Sequence, residues 1–133
     1  MGQRTYFLCL VATQGLHSIE EFCGRIWENF PPATVLCNAV SGDPVIGFLI
    51  INIGLFVFGI TAWYFVIGTR SVFARSVLWF WIAIELINGI GHPFWSFIQG
   101  GYTAGVATSP LLLIFALLLV KTSLKEQTNK RLP

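Results

Sequence analysis

The sequence predicts an all-α fold: a polytopic membrane four-helix bundle with a short interfacial helix after the first span. Three observations carry this. Hydrophobic residues make up 55% of the 133-residue chain and charged residues only 11%, against about 25% charge in a soluble domain. Mean hydropathy is +0.73, and the apolar runs are long enough to cross about 30 Å of hydrocarbon. Those runs do not alternate polar with apolar residues, which argues against a β-barrel.

The first span is expected at about 5–22. Arg4 followed by the apolar run Thr5–Leu16 has the outline of a signal peptide, but His17 and two glutamates stand where a small-residue cleavage site would follow. Residues 22–30 are amphipathic and contain Trp27, so they continue the helix to the interface or lie along it. Pro31-Pro32 is expected to stop that helix and open a loop over 31–44, closed by Gly42-Asp43-Pro44. The second span, about 45–68, is apolar except for Asn52, with Trp63 and Tyr64 as an interfacial anchor near its end. The third, about 76–98, holds Trp79, Trp81, Glu85, Asn88 and His92, with Pro93 placed to kink it. A turn at Gln99–Tyr102 leads to the fourth, about 103–120. Residues 1–120 thus form one membrane domain, and 121–133 a basic, hydrophilic tail.

Four spans put the N-terminus, the second connection and the tail on one side. Arg4, Arg70, Arg75, Lys121, Lys125, Lys130 and Arg131 fall there, and of the 8 basic residues only Arg25 falls on the other. Both termini are therefore expected in the cytoplasm. The basic residues form no stripe with aromatics, so no nucleic-acid partner is expected. Cys9, Cys23 and Cys37 match no close-spaced zinc pattern. Cys23 and Cys37 share one side of the membrane and are either a disulfide or separate thiols.

The chemistry sits in two polar stripes. His17, Glu20 and Glu21 cover an arc of about 100° on the first helix, with Gln14 beside them; Glu85, Asn88 and His92 cover about 60° on the third. An ionisable group facing lipid at mid-membrane costs about 2.5–3.5 kcal/mol on insertion scales, so the stripes should turn inward and share partners. Counted from the cytoplasmic end, His17, Asn88 and Asn52 all lie about 18 Å deep and Glu85 about 14 Å. Two imidazoles with carboxylates make a plausible first coordination sphere for a divalent metal, zinc or iron, with His17, Glu20, Glu21, Glu85 and His92 as candidate ligands. Alternatively, Glu20, Glu21 and Glu85, with Asn88, act as desolvated acid–base groups.

Bland readings exist for each. Ser18-Ile19-Glu20-Glu21 has the form of a capping box that would begin a second helix at Ser18, and Glu21 with Arg25 is a good i,i+4 pair. Asn88 alone serves as an interhelical hydrogen-bond clamp, Asn52 alone reads as packing before chemistry, and Phe94, Trp79, Trp81 and Trp95 as cavity wall or interfacial belt.

The pattern His17-x-x-Glu20-Glu21 at the end of a first membrane helix resembles the family of small integral membrane proteins named for its HXXEE motif. Asn88-x-x-x-His92 and the four-span layout extend the likeness over roughly 5–120. The resemblance implies a fold and a candidate site but no reaction. A looser similarity, of chemistry and not of spacing, runs to the emopamil-binding sterol isomerases. Two function classes follow. One is a small membrane enzyme acting on a lipophilic substrate, of metal-dependent or acid–base isomerase, cyclase or hydrolase type. The other is a proton, cation or lipid carrier that uses the same residues as a relay and requires an oligomer, for which Gly47, Gly54 and Gly59 would supply close helix contacts.

Overall fold

A computed structural model describes residues 2–69 and 71–129 of the chain. Among them it is all-helical: α1 (Gln3–Cys23), α2 (Ile26–Asn29), α3 (Pro31–Val40), α4 (Pro44–Phe65), α5 (Val72–Gln99) and α6 (Ser109–Asn129). Two of these, α4 and α5, are long and apolar enough to cross a membrane. Arg70, Lys130 and Arg131, three of the charges used to orient the chain, lie outside the described residues.

α1 is continuous through His17, Glu20 and Glu21, so Ser18 does not start a new helix. The helix stops at Gly24, and Arg25 takes a left-handed conformation at φ 49°. Arg25 then pairs with Glu28 at 3.1 Å, not with Glu21, because its reversal points it away from the site.

The expected loop over 31–44 is in large part α3. Proline at the first helical positions lacks only an N–H that would have had no partner, so Pro31-Pro32 opens a helix here. Gly47 of α4 lies against α3: a Cβ there would stand 2.8 Å from the Cys37 carbonyl carbon. Cys37 is buried in that contact while Cys23 is exposed, and both are free thiols. Asp43 caps α4 by accepting from Val45 N and Ile46 N.

α5 extends to both sides of the expected 76–98 and keeps Pro93 within it. α6 begins at Ser109, not 103, and runs to Asn129. The expected tail is therefore helical over 121–129; Ser123 is buried and its hydroxyl accepts from Gln3 Nε2 at 3.0 Å.

The four long helices pack with α1 against α4, α5 and α6, and α5 against α6. Phe7, Leu10 and Val11 of α1 join Trp81 and Ile82 of α5 and Leu112, Ala116 and Leu119 of α6 in one core. Gly89 lets α5 approach α6 closely, since a Cβ there would meet Leu113 Cβ at 2.8 Å. Gly59 similarly seats Trp81, so Gly47 and Gly59 are both used inside the chain. Between α4 and α5 a cleft remains, and the outward side of α4 shows Ile46, Ile50, Ile53 and Val57 exposed.

Candidate metal centre

α1 and α5 run parallel, and their C-terminal ends lie together with the starts of α4 and α6. His17 stands six residues before Cys23, and His92 seven residues before Gln99. Those counts place both imidazoles about 9–10 Å inside the same end. Their Nε2 atoms are 3.2 Å apart. Helical side chains tilt toward the N-terminus, so Glu21 reaches back over its i−4 neighbour. One carboxylate oxygen, Oε1, lies 3.4 Å from His17 Nε2 and 3.2 Å from His92 Nε2. All three residues are buried.

The hydrogen bonds on the far side of each ring fix where its proton sits. His92 Nδ1 is 2.8 Å from the Ala104 carbonyl oxygen, which can only accept, so Nδ1 carries the proton. His17 Nδ1 is 2.8 Å from Thr108 Oγ1. The Thr108 hydroxyl donates to Glu20 Oε2 at 2.6 Å, so its oxygen accepts from His17 Nδ1–H. In the neutral rings both Nε2 atoms therefore present lone pairs, and the third atom is a carboxylate oxygen. With both rings neutral, three acceptors meet with no donor between them, and a shared proton or a metal ion would satisfy them. The three residues form a group that could hold a metal ion. Bonds of about 2.1 Å in tetrahedral geometry place ligand atoms about 3.4 Å apart, and a cis octahedral pair about 3.0 Å. The observed triangle falls within that span.

Glu20 faces the other way. Its carboxylate accepts from Tyr102 Oη at 2.6 Å, Ala107 N at 3.0 Å, and Thr108 N at 2.9 Å and Oγ1 at 2.6 Å. It ties the 102–108 segment and the start of α6 to α1, and through Thr108 it orients His17. The bond to this carboxylate pushes the Tyr102 phenol up to about 12. Gly105 closes the back of the histidine pair: its φ is +90°, and a Cβ there would lie 2.8 Å from His17 Cε1 and closer still to His92.

Glu85 stands apart from this group. An amide atom of Gln14 lies 2.9 and 3.2 Å from the two Glu85 oxygens. Ser18 identifies that atom. Asn52 Nδ2 donates to the Phe48 carbonyl at 3.1 Å, so Asn52 Oδ1 takes the single Ser18 hydroxyl proton at 2.7 Å. Ser18 Oγ must then accept from Gln14 Nε2 at 3.3 Å, and Gln14 Oε1 turns to Glu85. With the amide reversed, Ser18 would face two acceptors with one proton. Oxygens 2.9 Å apart need a proton between them, so the pattern closes when Glu85 is the neutral acid. Asn88 Nδ2 lies 3.4 Å from Glu85 Oε2 and 3.5 Å from Gln14 Oε1, completing the strip.

The two stripes thus divide into a convergent triad, His17, Glu21 and His92; an anchor, Glu20; and a separate hydrogen-bonded strip containing Glu85, Asn88 and Asn52. Sequence reading did not single out Thr108, Tyr102 or Gly105. A signal for the first was present, since Thr108-Ser109-Pro110 is a helix-start pattern.

Glu21, His92, Gln14, Asn52 and Asn88 line one end of the α4–α5 cleft, whose volume is about 920 Å³. The remainder of its wall is mainly apolar. The family model for proteins of unknown function with an HXXEE motif matches residues 8–120. No curated protein and no solved structure matches the chain.

Proposed function

We propose, on the premise that this chain belongs to the HXXEE-motif family, that it is a metal-dependent membrane enzyme acting on a lipophilic substrate. His17, Glu21 and His92 would hold one divalent ion, zinc or iron. The convergence of two imidazole Nε2 atoms and one carboxylate oxygen, all within 3.4 Å of one another, carries this reading. Two imidazoles and one carboxylate leave a coordination position open, the donor set found in zinc hydrolases and ferrous oxygenases. Glu21 and His92 line the polar end of the cleft, so a molecule held in the cleft would reach the metal position from that side. A bound metal there would lower the pKa of a coordinated water or polarise a substrate oxygen.

The membrane setting belongs to the same proposal. α1 and α6 would join α4 and α5 as spans, with both termini cytoplasmic. The exposed apolar sides of α4 and α5 support it, as does the placement of Arg4, Arg75, Lys121 and Lys125 toward one end. The relay of a carrier has less support, because the Glu85–Gln14–Ser18–Asn52 strip ends on the Phe48 carbonyl within α4.

Metal analysis of the full chain, purified in mild detergent, tests the reading. One zinc or iron per chain is expected, with loss in both His17→Ala and His92→Ala. A folded wild-type protein that takes up neither metal at stoichiometric level would overturn it.

A further inference from the structure

The cleft has a polarity gradient along its length. Its upper end holds Glu21, His92 and Asn88; its lower end is closed by Phe58, which stacks on Trp81 at 6.4 Å and meets Phe80 edge-on at 6.0 Å. Ser76, the polar residue at the far end, gives its hydroxyl to the Val72 carbonyl at 3.3 Å. From His92 to Val77 the wall of α5 runs about 22 Å. One leaflet of hydrocarbon is about 15 Å deep, half of a core of about 30 Å. The cleft therefore exceeds the length of a lipid tail, and its volume of about 920 Å³ is near the top of the roughly 300–1,000 Å³ range of ligand pockets.

Access is from the flank. Phe80 and Ile87 line the cleft and are 49% and 69% exposed. The end above is lined by Ile26 of α2 and by Pro32, Ala33 and Cys37 of α3, and Phe30 lies 5.7 Å from the His92 ring. The polar end sits about 10 Å inside the helix ends, and the apolar channel continues toward the bilayer centre. A lipid of that leaflet has the same orientation, head near the surface and tail inward.

Resting on the proposed metal-centre reading, we propose that this cleft takes a membrane lipid laterally between α4 and α5, with an extended hydrocarbon chain along the cleft and its oxygen-bearing head at Glu21 and His92. The chain enters without turning over, and the head reaches the metal position from the side.

Gly54 provides the means to block it. It lines the cleft, and a Cβ at this position meets no atom within 4 Å, so a larger side chain enters open space. The full protein is reconstituted in phosphatidylcholine vesicles with a long-chain fatty acid carrying a mid-chain diazirine, then irradiated. Peptide mapping should place adducts on Ile51, Leu55, Phe80 and Ile84, in excess over the outward Ile46, Ile50, Ile53 and Val57. Gly54→Trp, and to a lesser degree Gly54→Leu, should remove the cleft adducts while outward labelling and metal content stay at wild-type level. His17→Ala should lose metal yet keep the cleft adducts, which separates the two readings. Equal labelling of both faces, or cleft adducts unchanged in a Gly54→Trp protein of normal metal content, would overturn the lipid site and leave the metal reading intact.

Discussion

His17 and His92 face each other Nε2 to Nε2 across 3.2 Å, with each Nδ1 committed to an acceptor behind it. Neither neutral ring can donate to the other, and the Glu21 carboxylate between them can only accept. A proton shared among the three atoms, or a metal ion held by them, would stabilise the arrangement. Its support comes from outside the motif, from Thr108 and the Ala104 carbonyl.

Thr108→Val removes the oxygen that takes the His17 proton. The ring is then free to rotate or to exchange tautomer, while all three ligand residues remain. Metal affinity should fall about 10–100-fold, the usual cost of losing an outer-sphere partner. Competition with a chromogenic chelator measures it. Unchanged affinity would show that Thr108 does not orient the ligand.

Glu20 should behave differently from Glu21 although the two are adjacent. Glu20→Gln leaves Tyr102 Oη, Ala107 N and the Thr108 groups facing a neutral amide, and should cost about 1–3 kcal/mol in unfolding free energy. Glu21→Gln should abolish stoichiometric metal and leave the melting temperature near that of the metal-free wild type. Thermal unfolding followed by circular dichroism, beside metal analysis, separates the two roles.

The Tyr102 phenol reports on the same carboxylate. Its pKa is raised from 10.0 to about 12, so the bond's contribution to stability is complete below about pH 10 and is lost as pH rises through about 12. Ultraviolet titration of wild type minus Tyr102→Phe should show one late-titrating tyrosine. In Glu20→Gln that tyrosine should move back toward the normal range.

How far the sequence reached is clearest at these residues. The 3.6-residue period placed His17 with Glu21 and Glu85 with His92 on single faces, because helical geometry is local. Counting depth from the expected cytoplasmic ends matched His17 with Asn88, one turn away from its actual partner. α5 is 28 residues long and α1 is 21, and the extra length of α5 lies toward its start. Alignment therefore holds only from the shared C-terminal end. Glu20 was grouped with the ligands because its spacing allows it; its partners, 82–88 positions away, leave no periodic trace. α3 was missed because Pro31-Pro32 ends one helix and begins another with the same two residues.

Gly105 should tolerate no side chain. Its φ of +90° is strained for any other residue, by about 1–3 kcal/mol, and a Cβ would displace the two rings. Gly105→Ala should keep its helical content and lose metal affinity by more than Thr108→Val does. Gly91→Ala, where a Cβ meets nothing within 4 Å, is the matched control and should bind metal normally.

Glu85 gives the sharpest contrast between charge and shape. If the strip Glu85–Gln14–Ser18–Asn52 holds a neutral acid, a glutamine at 85 can supply a donor to Gln14 Oε1 in place of the acid proton. Glu85→Gln should then fold with wild-type stability and retain its metal. Glu85→Ala removes the partner of Gln14 and Asn88 in a fully buried position and should cost about 1–3 kcal/mol. Should Glu85→Gln prove as unstable as Glu85→Ala, the carboxyl is ionised in the native protein, and the orientation assigned to Gln14 must be reversed. Infrared difference spectra between wild type and Glu85→Gln, read in the protonated-carboxyl stretching region, test the same point without relying on stability.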